Sequence, residues 1–133
     1  MIKVYVSHSI RGLKGSRATK KDMRFNCDRI KLLIGRVREC LPEVEFYVPG
    51  EQEEFVGLSY TTGQLNEKQI LDIDCSIVKN CNAVAVFLPD EDSELQGGRK
   101  IEADYALSED IPVIEFASAG TLIRNLNRFL GVA

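Results

Sequence analysis

Hydrophobic residues recur along this chain with two periods, and the switching between them lays out its elements. Residues 3–8, KVYVSH, are rich in β-branched and aromatic types and read as a strand. A polar, glycine-containing stretch follows, SIRGLKGSRATKK. Over residues 20–41 the period lengthens. Met23, Cys27, Ile30, Ile34, Val37 and Leu41 recur at spacings of three and four, the stripe of a long helix, and Leu33 and Cys40 widen it. Pro42 ends that helix, because a proline drives the residue before it out of the helical region. Residues 44–48, VEFYV, form a second strand closed by Pro49 and Gly50. The loop EQEEFVGLSYTT is acidic, then polar, and leads to a helix over residues 64–80. Ile70, Ile73, Ile77, Val78 and Cys81 make up the apolar face of that helix. Residues 83–89, AVAVFLP, are almost uninterruptedly apolar, as in a central strand covered on both faces. The acidic loop DEDSELQGG precedes a helix over residues 99–109. A short strand over residues 111–116 follows, and Ser118 caps a last helix carrying Leu122, Ile123, Leu126, Phe129 and Leu130.

Alternation of strands and helices in this order predicts a parallel sheet with helices on both faces and right-handed connections. Ligands bind such sheets beyond the C-terminal ends of the strands. The loops after His8, Val48 and Pro89 lie there. No repeat or low-complexity linker interrupts the 133 residues, which predicts one domain over residues 1–133. No apolar run approaches the roughly 20 residues of a membrane helix, and MIKVYVSHS is too short for a secretory signal. A cytoplasmic protein is expected, neither inserted in a membrane nor bound to one. The four cysteines form no CxxC pair and read as reduced thiols, and one histidine leaves little from which to build a metal site.

Charge changes the picture at the N-terminal end. The net charge is −3, yet residues 1–40 hold eleven Lys/Arg against three acids. Arg11, Lys14, Arg17, Lys20, Lys21 and Arg24 form the concentrated part. They are either a solvated face or an anion site, a phosphate site above all. Nucleic acid fits poorly, since no aromatic residues interleave with the cations to stack on bases.

Two carboxylates stand out. Asp74 lies four residues after Ile70 and three before Ile77, where the stripe calls for a hydrophobe. An unpaired buried carboxylate is costly, so Asp74 either has a structural partner or faces a pocket. Glu102 follows Gly97, Gly98, Arg99 and Lys100 at a helix start. It is either an acid placed for the helix dipole or an ionised group aimed at a ligand. Such a carboxylate beside a sugar can act as a nucleophile, and a partly desolvated Asp74 can protonate a departing group. Ser7, His8 and Ser9 lack the G-x-S-x-G context of a hydrolase elbow, and QGGR is not a phosphate-binding glycine motif.

Three segments together resemble the nucleoside 2-deoxyribosyltransferase superfamily, nearest its 2′-deoxynucleoside 5′-phosphate N-hydrolase branch. YVSHSIRG is similar to the branch's first strand and loop, through Tyr5, Ser9, Ile10, Arg11 and Gly12. ILDIDCSIVKNCNAVAVFL is similar to a helix-and-strand block, with Asp74 in the acidic position, and GGRKIEADYA to the glycine loop and E-x-x-x-A helix. The resemblance leaves residues 13–63 largely unmatched. It implies a flavodoxin-like or Rossmann-like three-layer α/β sandwich with a mainly parallel sheet of four or five strands. It also implies cleavage or exchange of the N-glycosidic bond of a (deoxy)nucleoside or its 5′-monophosphate. Glu102 is then the nucleophile, Asp74 handles the leaving base and Tyr5 orients Glu102. Ser7, Ser9, Ile10, Arg11, Gly12, Gln96, Gly97, Gly98 and Arg99 bind sugar or phosphate. A homo-oligomer working without cofactor or metal follows from the same resemblance. Two positions depart from the family pattern: Gln96 stands where an Asp or Ser is common, and His8 stands for a glycine. They keep open a non-catalytic nucleotide-binding or sensor module on the same fold.

Overall fold

A computed structural model describes residues 1–52, 66–89 and 97–131. Four strands form one parallel sheet: β1 (Ile2–Ser7), β2 (Val44–Tyr47), β3 (Ala83–Phe87) and β4 (Val113–Phe116), in the order β2-β1-β3-β4. The described helices are α1 (Lys20–Cys40), α2 (Glu67–Val78), α3 (Gly97–Ser108) and α4 (Ala119–Phe129). This is the expected three-layer α/β architecture of flavodoxin-like type. Two short 3-10 turns, Gly12–Arg17 and Pro49–Glu51, occupy stretches that read as loops. The loops over residues 53–63 and 90–94 lie outside the described residues, as does the expected start of α2 at residue 64.

The alternation along β1 and β3 sorts the core into two layers. Val4, Val6, Ala83, Ala85 and Phe87 point to one face, where Ile30, Ile34 and Val37 of α1 meet Leu122 and Leu126 of α4. Tyr5, Val84 and Val86 point to the other, against Val78 at the end of α2 and Ala103 and Ala106 of α3. Every residue of β3 is buried, as the unbroken apolar run requires. Thr19 and Asp22 close a capping box on α1, and Asn66 and Gln69 close one on α2.

Three residues at stripe edges turn outward instead. Cys40 is exposed on the last turn of α1, and Phe129 is partly exposed at the end of α4. On α2 the inward row runs through Asp74, Ile77 and Val78, which leaves Ile73 at the surface. Two of the four cysteine thiols, Cys27 and Cys81, are buried, and none is in a disulfide. Among the described residues no helix is long and apolar enough to cross a membrane.

The sheet order places a topological switch point between β1 and β3, because the chain leaves β1 toward β2 on one side and β3 toward β4 on the other. In sheets of this kind a ligand crevice lies at such a point, beyond the C-terminal ends of both strands. Ile34, fully buried in the α1 layer, measures what that layer contributes. Ile34→Ala should lower the unfolding free energy in urea by about 2–5 kcal/mol, whereas Leu32→Ala, exposed on the same helix, should change it by less than about 0.5 kcal/mol.

Candidate active site

The switch-point crevice collects the residues singled out in the sequence. Tyr5 and Ser7 lie two apart on β1 and therefore share a face, the one covered by α2 and α3. On α3 the inward row is Arg99, Glu102, Ala103 and Ala106, while Ile101 and Leu107 face out. The two alanines let the helix lie close to the sheet and bring Glu102 onto β1. Tyr5 Oη donates to Glu102 Oε2 at 2.6 Å, and Ser7 Oγ donates to Glu102 Oε1 at 2.6 Å. Both carboxyl oxygens are thus held by hydroxyls of one strand, in a place only 5 % exposed. Tyr47 of β2 stacks behind Tyr5, ring centroids 5.7 Å apart.

Asp74 comes up to the same point from α2, close enough for its carboxyl to interact with that of Glu102 and with the Tyr5 phenol. The two carboxyls are one titrating unit. Burial pushes Glu102 up to about 8, against the pull of the Ser7 and Tyr5 hydroxyls, and Asp74 beside it pushes the same way. Burial also pushes Asp74 up to about 6. Two carboxyls this close in a buried place hold a proton more tightly than either would in water, and burial favours it most on Glu102. Burial together with the neighbouring Glu102 and Asp74 raises the Tyr5 phenol well above its usual value, so Tyr5 stays a donor.

Glu102 is therefore not kept ionised by its helix end and nearby cations, as its position suggested. α3 begins at Gly97, so Glu102 lies in the second turn, beyond the reach of the helix dipole. Arg99 is buried and donates to the Phe87 carbonyl at 2.9 Å, and Lys100 pairs with Asp104 at 2.9 Å on the outer face. Arg99 fixes α3 to the end of β3.

The loop after β1 is anchored on itself. Ser9 Oγ accepts the Gly12 N–H at 2.8 Å, and Asn26 Nδ2 donates to the Ile10 carbonyl at 2.9 Å. Gly12 has φ +69°, and a Cβ there would stand 2.9 Å from Asn26 Nδ2, so only glycine fits. Arg11 is half-buried beside it. The remaining cations, Lys14, Arg17, Lys20, Lys21 and Arg24, are exposed, and Lys14 pairs with Asp22 at 3.1 Å. Of the basic stretch, Arg11 alone is half-buried, in the loop after β1; the rest form a solvated face. Gly97 opens α3 with φ +61°, and Gly98 lies against Leu71 of α2. Gln96 lies outside the described residues.

Sequence reasoning missed a contact between the first two loops. His8 Nε2 accepts the Gly50 N–H at 2.9 Å, which leaves the ring proton on Nδ1. Burial, reinforced by the nearby Arg99, lowers His8 to about 4 and keeps it neutral. Nδ1 is buried and has no hydrogen-bond partner among the described residues. A Cβ on Gly50 would stand 2.8 Å from His8 Cε1, so the ring and the glycine require one another. Glu51, next along, is paired with Arg38 of α1 through two hydrogen bonds, which pins the turn. The only sequence signals were a histidine at a strand end and a Pro-Gly turn, and nothing in either named the other.

Two outcomes test this geometry. Gly50→Ala should destabilise the protein by about 1–3 kcal/mol in urea, and in a His8→Gly background the same change should cost far less, a coupling that a double-mutant cycle reads directly. The carboxyl pair sets a pH dependence. Both folded values lie above the unfolded ones, so the folded protein holds protons that the unfolded chain releases, and stability falls as pH rises from about 4.5 to about 8. Glu102→Gln should flatten that slope in thermal denaturation followed across the range.

No protein-family model, no curated protein and no solved structure matches the chain.

Proposed function

We propose that the protein cleaves or exchanges the N-glycosidic bond of a 2′-deoxynucleoside or its 5′-monophosphate, with Glu102 as nucleophile. The observation that carries this reading is the carboxyl pair at the switch point: Glu102 held on both oxygens by the Tyr5 and Ser7 hydroxyls, with Asp74 brought beside it from another helix. The sequence resemblance supplies the reaction class. Paired acids in a dry crevice supply its two needs, an anion for the anomeric carbon and a proton for the leaving base.

The steps balance on these residues. A sugar entering the crevice parts Asp74 from Glu102, and the shared proton goes with Asp74. Glu102 attacks C1′ as the bond to the base nitrogen breaks. The electron pair of that bond stays on the base, which takes the proton from Asp74. Water, or a second base, then attacks C1′ and displaces Glu102, and the proton it sheds returns to Asp74. Arg11 in the loop after β1 suits a 5′-phosphate. By the same resemblance the working form is a homo-oligomer, which sedimentation measures.

The test is base release or exchange from a panel of deoxynucleosides and their 5′-monophosphates, with and without a second free base. Glu102→Ala should fall to background. Asp74→Asn should lose roughly 10²–10⁴-fold in kcat, the usual worth of a positioned acid. Activity should follow a bell, rising as pH passes about 6 and falling as it passes about 8, since the pair works with one proton. Binding of a nucleotide without release or exchange of base would sink the enzyme reading and leave a nucleotide-binding module. Arg11→Ala should raise KM for monophosphates and spare free nucleosides.

A further inference from the structure

Two hydroxyls hold Glu102, and the sequence pointed only to that of Tyr5. Ser7 read as a contact to sugar or phosphate, yet it is fully buried and its hydroxyl is spent on Glu102 Oε1 at 2.6 Å. Both separations lie at the short end of the range for O–H···O hydrogen bonds. The groups that act on Glu102 are Tyr5 and Ser7 from β1 and Asp74 from α2, with Cys75 of α2 within electrostatic reach. Tyr47 stacks behind Tyr5, and Arg99 stands one turn earlier on α3, bonded to the Phe87 carbonyl. Cys75 is pushed up to about 11 by burial and by the carboxyls, so it carries no charge.

The problem for the proposed chemistry is allocation of the proton. Burial alone draws it to Glu102, the wrong partner for attack on a carbon. Once a sugar separates the carboxyls, what remains on Glu102 decides its charge. Tyr5 has a single proton and gives it to Oε2, and Ser7 gives its own to Oε1. The two donors are fixed on one strand and cannot follow Asp74. We propose that Ser7 is a positioning residue that, with Tyr5, keeps the negative charge on Glu102 and leaves the transferable proton to Asp74. This rests on the reaction proposed above, but its electrostatic content does not depend on turnover.

The experiment is a titration of side-chain carboxyl carbons by NMR on protein labelled in Glu and Asp, for wild type, Ser7→Ala and Ser7→Cys, paired with kcat and KM for base release. Ser7→Ala should raise the Glu102 midpoint by about one pH unit, the worth of one hydrogen bond to a charged group. It should lower kcat about tenfold with KM little changed, because the loss falls on the charged nucleophile rather than on ligand contacts. Ser7→Cys, close in size and a weaker donor, should fall between. A Glu102 midpoint that stays put in a Ser7→Ala protein with a folded amide spectrum overturns the proposal, as does a loss confined to KM. A midpoint that moves while the wild type releases no base overturns the proposed reaction and leaves the hold of Ser7 on the Glu102 charge standing.

Discussion

Placing a carboxyl group in a dry crevice is the costliest thing this fold does, and most of the nearby structure exists to make it tolerable. Water would stabilise a Glu102 anion through many hydrogen bonds. The interior offers two hydroxyls and a second carboxyl that can share a proton. Hydrogen bonds to a charged group contribute about 1.5–3 kcal/mol each, which offsets part of the desolvation and leaves the rest as raised proton affinity. That residue of unpaid solvation is useful: a group poised near neutrality gives and takes protons readily.

The arrangement depends on how three elements meet. β1 supplies hydroxyls because Tyr5 and Ser7 alternate with Val4 and Val6, so one face of the strand carries hydroxyls into the layer of α2 and α3 while the other packs valines against α1 and α4. α3 supplies Glu102 on a row otherwise made of small residues and one arginine, which lets the backbone come near the sheet. α2 supplies Asp74 from a stripe whose other inward members are apolar. Around the crevice, Arg99 ties α3 to β3, and the linked contacts from Arg38 through Glu51 and Gly50 to His8 tie the outer helix to the end of β1.

Much of this was legible in the chain. The stripe of α1, the unbroken apolar run of β3 and the order of elements determined the architecture, because long periodic segments leave few alternatives. Asp74 was legible as an inward-facing acid because a helix cannot turn one residue away from its own stripe. Glu102 was legible as a position and misread in its charge, since burial depends on which side of α3 meets the sheet. Ser7 shares the parity of Tyr5, but parity does not say what stands opposite. The pairing of His8 with Gly50 joins loops 42 residues apart and left no periodic trace. The outward turn of Cys40, Ile73 and Phe129 shows where a stripe has an edge, which spacing alone does not locate.

The two-sided character of β1 has a consequence for how this protein can change. Its odd positions, Tyr5 and Ser7, hold Glu102, and its even positions, Val4 and Val6, belong to the layer built on α1 and α4. Variation at one set leaves the other in place. The scaffold behind the sheet can drift, tighten or be redesigned while the face that holds Glu102 stays fixed. Conversely, the residues around Glu102 can change without reopening the packing that holds the strand. A shift of one residue along β1 would exchange the two sets at once, so the register with β2 and β3 protects both inheritances together.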